Sequence, residues 1–359
     1  MKMPAGSWDQ FDDYVIDFAI DCRRRGERIA IVTLVKIEGS SPRPLGAQMA
    51  VSETGRWTGY LSGGCIERVV VSEALAAIQE GESRRVRYGR GSKYIDIQLP
   101  CGSAIELVFD VSIPDENLMA VDSRLHRRLP ATMHVPSLAD DEGELLTRVY
   151  APRTRIIVAG IGPSAVQLAR LGLLAGFEVV LYSSDTVTRG EVLKSPGVEV
   201  VPIPSAASLP VIHADRHTAV AVIFHDHEWE TNLLPLILET DAFYVGAMGS
   251  RKTHQRRLDI LARYGMEKEK LGRIRGPAGL FESGKSASSI ALSILAEIMQ
   301  ANVEVPPEPA SCRTAARLRL CRSGSLPTRR CRSGAVRAAA LSSRDCLMLM
   351  ACHRRRPRR

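Results

Sequence analysis

A thiol in the string Ser62-Gly63-Gly64-Cys65, just ahead of a run that reads as a helix, is the first place where residue types and spacing suggest chemistry. The glycines let backbone N–H groups and the thiol converge on one point, and the positive end of a helix lowers a thiol pKa. Cys65 is therefore a candidate nucleophile, persulfide carrier or soft metal ligand; the plainer reading of a lone cysteine is a small buried hydrophobe. Cys101, in LPCGSAIELVFD, is a weaker candidate on the same grounds. Arg43 stands between Pro42 and Pro44 on a stiff loop suited to an anionic group, or is an ordinary surface arginine.

Three further clusters lie in the second half of the chain. Gly160-Ile-Gly162-Pro163-Ser-Ala165 follows the apolar run from Arg155 to Ala159 and opens a helix. Gly160 permits the tight turn, Gly162 lets amides approach a phosphate, and Ala165 lets helix and strand pack closely. Dinucleotide binding also calls for an acid at the end of the second strand, where this chain has Tyr182-Ser183-Ser184, with Asp185 one or more residues late. The turn thus fits a Rossmann fold without a nicotinamide cofactor as well as one with it. In VIFHDHEWE, His225, Asp226 and His227 follow a strand at the carboxyl edge where open parallel sheets bind ligands. His225 and His227 are metal-ligand candidates without an identifiable third ligand, or else a polar pocket wall. In FYVGAMGSRKTHQRR, Gly246 and Gly249 allow close approach, and Ser250 and Arg251 are offered to an anion at a helix start. Its plainer alternative is a glycine turn leading into a solvated basic face, which accounts for Arg256 and Arg257.

The elements that must position these residues follow from periodicity. Trp8, Phe11, Tyr14, Val15, Phe18, Ala19 and Cys22 recur at helical spacing up to Gly26. Ile29 to Ile37, Ala47 to Val51, Arg56 to Tyr60 and Ala104 to Phe109 read as strands, with a helix near Val69 to Glu80. This predicts an N-terminal α+β domain over 8–111. A stretch over 112–153, with Pro114, Pro130, Pro136 and Pro152 and an acidic run at Asp140 to Glu144, reads as a linker carrying short structure. Strands at Arg155 to Ala159, Glu178 to Tyr182, Thr218 to Phe224 and Phe243 to Ala247 then alternate with helices. Such alternation predicts a parallel sheet, a Rossmann-like C-terminal domain over 154–304, closed by a helix from Ser286 to Met299.

Composition bounds the partners. The 359 residues, 45% hydrophobic and 25% charged, can bury two cores, and no apolar run is long enough for a membrane span. The N-terminus lacks a secretory signal pattern, so a cytoplasmic location is expected. Net charge is +8, but the fourteen arginines and the single acid Asp345 after Ser311 supply +13 and leave the rest at −5. Five of the eight cysteines lie in that same stretch, which implies no disulfide framework. Residues 305–359 read as a disordered basic tail without interleaved aromatics, so nucleic acid is not an expected partner.

Taken together and in order, EGSSPRPLGAQMAV, GYLSGGCIE, GIGPSA, HDHE, VGAMGSRKTHQRR, IRGPAGL and SASSIALSILAEIM resemble the XdhC/CoxI family of xanthine dehydrogenase accessory proteins. The resemblance spans roughly Phe11 to Glu304 and leaves out the tail. It implies a chaperone that binds molybdenum cofactor, a pterin bearing a phosphate and a dithiolene-held molybdenum. The chaperone would protect the cofactor during sulfuration with a cysteine desulfurase and insert it into an apo-molybdoenzyme of the xanthine dehydrogenase family. The implied cofactor-binding set is Arg43, Ser62, Gly63, Gly64, Cys65, Glu67, Gly160, Gly162, Pro163, His225, His227, Gly249, Ser250 and Arg251, with Cys65 meeting molybdenum or carrying sulfur. The cargo is expected as molybdopterin or its cytosine dinucleotide form, and the carrier as a homodimer and an accessory protein rather than an enzyme. In the family the second Rossmann strand often ends in paired acids; Ser183 and Ser184 stand there in this chain. The alternative is an NAD(P)-dependent oxidoreductase with His225 or His227 as the acid–base group.

Overall fold

The computed structural model describes residues 14–64, 66–92, 103–136, 146–224, 226–282 and 285–304. In its first half, α1 (Val15–Arg24) is followed by β1 (Ile29–Glu38), β2 (Gln48–Ser52), β3 (Trp57–Gly59), α2 (Glu67–Glu80), β4 (Arg84–Gly89) and β5 (Ala104–Asp110). The five strands form one antiparallel sheet in the order β3-β2-β1-β5-β4. Central β1 is covered on both faces over residues 29–34, which is why that stretch reads as an apolar run broken only by buried Thr33 rather than as an alternation. Ala30, Val32 and Leu34 pack with Val70, Ala74 and Ala77 of α2, while Ile29 and Ile31 pack with Val15, Ile16 and Ala19 of α1. Each fully buried valine, leucine or isoleucine among them contributes roughly 1.5–3 kcal/mol. Helix α2 stops at Gly81, whose left-handed backbone (φ 73°) closes the last turn.

Residues 112–153, which read as a linker in the sequence, carry α3 (Asp115–His126) and the antiparallel pair β6 (Ala131–His134) and β7 (Thr147–Tyr150). Leu118 and Val121 of α3 and Tyr150 of β7 join the core beneath α1, and the Tyr150 hydroxyl donates to Gln48 Oε1 at 2.8 Å. The apolar residues are sparse, so their periodicity in the sequence is weak, yet they meet a surface already half built.

The second half alternates: β8 (Arg155–Gly160), α4 (Pro163–Leu174), β9 (Glu178–Ser183), α5 (Thr186–Leu193), β10 (Val198–Pro202), β11 (Thr218–Ile223), α6 (His227–Leu238), β12 (Tyr244–Ala247), α7 (Arg251–Arg263), α8 (Lys268–Leu271), β13 (Ile274–Arg275) and α9 (Ala287–Glu304). All neighbours in the six-stranded order β10-β9-β8-β11-β12-β13 are parallel. Ile156 and Val158 face α4 and α9, and Ile157 and Ala159 face the α6 side, so both faces are dry. The winding reverses between β8 and β11, and ligands of open α/β sheets bind outside the carboxyl ends at such a reversal.

At the opposite edge, Arg128 joins the two halves. It takes a left-handed conformation (φ 60°) and donates to both Asp215 oxygens (2.7 and 3.0 Å), to Glu178 (2.9 Å) and to the Arg153 carbonyl (2.6 Å). No helix among the described residues is long and apolar enough to cross a membrane.

Candidate functional site

In the first half, the β3–α2 loop is organised from inside. The Glu67 carboxylate, fully buried at the start of α2, accepts from the amides of Leu61 (3.1 Å), Ser62 (2.7 Å), Gly63 (3.1 Å), Gly64 (2.8 Å) and Ile66 (3.2 Å), and from the Ser62 hydroxyl (2.9 Å). Burial opposes ionisation, but the hydrogen bonds from the Ser62 and Leu61 amides outweigh it and hold the carboxyl below its ordinary value. The sequence suggests amides aimed at a ligand; they converge instead on a side chain of the loop's own helix. Gly63 and Gly64 lie exposed with φ of 80° and 111°, and a side chain at Gly63 would meet open space. Cys65, which follows them, lies outside the described residues, as does Cys101.

The Arg43 loop comes alongside. The Arg43 guanidinium lies 4.3 Å above the Tyr60 ring, and its Nη1 donates to the Tyr60 hydroxyl at 3.1 Å. Tyr60 immediately precedes Leu61 and Ser62, so the two N-terminal motifs form one half-buried cationic and aromatic surface next to the Glu67-held loop.

The second cluster sits at the carboxyl ends of β8, β11, β12 and β13. A Cβ at Gly160 would overlap the Ile223 carbonyl, so only glycine lets β8 and β11 pass this closely. Gly162 caps α4 at φ 82°, and a Cβ there would meet nothing, which leaves the backbone open to a ligand. Pro163 opens the helix, where a missing N–H costs nothing. The Gly162 amide itself donates to the Thr188 hydroxyl at 2.8 Å. Thr188 in turn donates to Asp185, whose carboxylate caps α5 through the Thr188 amide at 2.7 Å. The hydrogen bonds from the Thr188 hydroxyl and amide hold the Asp185 carboxyl below its usual range. The acid that stands too late in the sequence for a ribose is thus engaged in capping, and Ser183 at the strand end is buried.

After β11, Asp226 caps α6 by accepting from the Glu228 amide at 2.9 Å. His225 and the side chain of His227 lie outside the described residues, and no cluster of three His, Cys, Asp or Glu suited to a metal occurs among those described. After β12, Gly249 has φ 144° and Ser250 caps α7 through the Thr253 amide at 3.1 Å. Arg251 is 89% exposed and faces Glu282 at 3.7 Å.

Arg257 corrects the expectation of a solvated basic face. Its side chain is 1% exposed, pairs with Glu230 through two hydrogen bonds (2.7 and 3.0 Å), and also donates to the Met248 carbonyl at 2.6 Å and to His254 Nδ1. The sequence holds a signal for this: Arg257 lies four residues before buried Leu261 on the same helix face. Two other groups carry no such signal. Tyr244 donates to Glu297 Oε2 at 2.7 Å, which also accepts from the Gly279 amide at 2.7 Å and so ties the loop after β13 to α9. Burial pushes the Tyr244 hydroxyl far above its ordinary value, with the Glu297 charge adding to it. His254 packs against Gly276, where a Cβ would overlap the imidazole.

Comparison with known proteins places this arrangement. Residues 22–89 match the model of the XdhC and CoxI family, and residues 156–298 match the XdhC Rossmann domain. The chain is 33% identical over 315 residues to the molybdenum cofactor insertion chaperone PaoD of Escherichia coli, covering 84% of this chain and 92% of that protein. It is 23% identical to a probable xanthine dehydrogenase subunit of Bacillus subtilis, covering 78% of this chain and 94% of that one. A crystal structure of a xanthine dehydrogenase from Bacillus halodurans superposes with a TM-score of 0.67 at 20% identity, covering 83% of this chain and 98% of that one, and shows the same fold.

Proposed function

We propose, from the premise that the chain belongs to the XdhC and CoxI family, that it binds molybdenum cofactor as cargo and delivers it to a molybdoenzyme of the xanthine dehydrogenase type. The observation that carries this reading is the 33% identity to an insertion chaperone over 92% of that protein's length, because it runs through both halves rather than through the Rossmann sheet alone. Fold likeness by itself would say little about function.

The chemistry of the residues supports the cargo. A phosphate suits the open space beside Gly162 and the first-turn amides of α4, which lack intrahelical acceptors. Arg43, held over the Tyr60 ring, offers a second anion contact. A thiolate at Cys65 is the soft group for molybdenum or for carried sulfur. We take Ser62, Gly63 and Gly64 as the loop that presents this thiol and Glu67 as its internal anchor rather than a direct contact. Sulfuration with a cysteine desulfurase, a homodimeric carrier, a cytoplasmic location and the cytosine dinucleotide form of the cargo belong to the same reading.

A nicotinamide-dependent oxidoreductase is the rival, motivated by the Gly160–Ala165 turn. Capping by Asp185 and the serines at the end of β9 weigh against it. Incubation of cofactor-loaded protein with an apo-xanthine dehydrogenase tests the proposal. Transfer should raise enzyme activity in step with loss of molybdopterin from the carrier; retention of all cofactor, or heat of binding with NAD(H) or NADP(H), would overturn it.

A further inference from the structure

The histidines at the end of β11 stand out in the sequence, but a different imidazole has its protonation state dictated by its neighbours. His254 lies in the first turns of α7 and packs on the backbone of Gly276, which follows β13 at the same carboxyl edge as the Gly160 and Gly249 turns. Arg257 Nη1 stands 3.2 Å from His254 Nδ1. A guanidinium has five donors and no acceptor, so Nδ1 must offer a lone pair and the ring proton must sit on Nε2. Arg257 cannot swing away, because two bonds to buried Glu230 and one to the Met248 carbonyl fix its plane. A positive guanidinium in contact also opposes a second proton on the ring. Burial lowers the imidazole pKa first and the Arg257 charge lowers it further, with Glu230 opposing, so the neutral ring is favoured.

We infer that His254 is a cargo-contacting residue, held by the Arg257–Glu230 pair as the neutral tautomer that donates a hydrogen bond from Nε2 to an acceptor oxygen of the cargo. The identity of that cargo rests on the function proposed above; the tautomer does not. Across the five-membered ring the two nitrogens point away from one another, so Nδ1 turned to a buried guanidinium turns Nε2 outward from the partly exposed ring. Among the described residues Nε2 has no hydrogen-bond partner. A neutral donor suits an oxygen of the pterin ring or its phosphate, and it keeps its proton through the whole physiological pH range. Arg257 and Glu230 are positioning residues in this scheme and touch no cargo.

Side-chain length separates the two nitrogens in a binding test. Glutamine carries its amide nitrogen about where Nε2 lies, and asparagine about where Nδ1 lies. In protein co-produced with the cofactor pathway, molybdopterin retained after gel filtration should fall about tenfold in His254→Ala, as for one lost hydrogen bond to a polar ligand. His254→Gln should retain most of the wild-type content, and His254→Asn should behave as the alanine variant. Nitrogen NMR of the cargo-free wild type at pH 7 should show the Nε2–H form. The inference is overturned by wild-type retention in His254→Ala, by equal behaviour of the glutamine and asparagine variants, or by an Nδ1–H or doubly protonated ring. A wild type that carries no molybdopterin would instead remove the proposed function, and the cargo contact with it.

Discussion

Glu67→Gln changes one atom type at the centre of the β3–α2 loop and should loosen the segment that carries Cys65. The carboxylate accepts six hydrogen bonds. If the amide oxygen of glutamine keeps the place of Oε1, it still serves Leu61, Ser62 and Gly63, but its NH2 group then faces the amides of Gly64 and Ile66. Gly64 is exposed and can turn to water, and the buried Ile66 amide keeps the Ser62 hydroxyl as acceptor at 3.1 Å. The loss of charge on the remaining bonds together with the two weakened donor contacts amounts to about 2 kcal/mol. Glu67→Ala strands the buried Leu61 amide and leaves a cavity, for about 4 kcal/mol. Urea unfolding followed by the fluorescence of Trp57, buried in β3, reads the loss directly. The pH dependence has a defined sign. A carboxyl whose folded pKa is depressed stabilises fully above its unfolded value of ~4.3, and the contribution disappears as pH falls through the folded value. The gap between wild type and Glu67→Gln should therefore be constant from pH 6 to 8 and shrink below about pH 4. Unfolding midpoints that coincide at pH 7 would refute the reasoning.

Other perturbations test the rest of the frame. Gly160→Ala should lower stability by about 3 kcal/mol, since its methyl meets the Ile223 carbonyl, whereas Gly162→Ala should lose only about 1–2 kcal/mol through its positive φ; thermal melts giving the reverse order would contradict the assignment. Arg128→Ala should cost about 2 kcal/mol at pH 7. Burial opposes ionisation of Asp215, but Arg128 outweighs it and holds the carboxyl at about 2, so the difference from wild type should fade as pH drops from about 4 towards 2 in pH-dependent urea titrations. Arg257→Met should cost about 3–5 kcal/mol because Glu230 is left buried and charged, and adding Glu230→Leu should restore most of it; a double variant no more stable than the single one would show that the pair is not the source.

The scaffold is legible in the sequence where burial is two-sided or glycine is obligatory. β1, β8 and β11 are predominantly apolar runs because helices cover both faces, and Gly160 marks the close passage of β8 by β11. β4 is hidden because Arg84, Arg85 and Arg87 dominate its composition; they pair with Glu73, Glu106 and Glu38 across neighbouring elements, contacts that no local pattern encodes. β13 and α8 are too short to show a period. At the site, residue types are legible and partners are not. Glu67 reads with its loop as a contact for the cargo, but a carboxylate within reach of five amides is settled by a three-dimensional turn. Arg257 reads as a surface charge because its partner Glu230 lies 27 residues away on another helix. His254 carries no sequence signal because its significance depends on that pair.

The central claim is that this chain carries molybdenum cofactor, with the Cys65 loop as part of the grip. Mass spectrometry of the pterin released from protein co-produced with the cofactor pathway tests it most directly. Wild type should yield molybdopterin at about one per chain after gel filtration, and Cys65→Ala should yield markedly less at unchanged thermal stability. Protein free of pterin under every such condition, or equal content in the two proteins, would contradict the account.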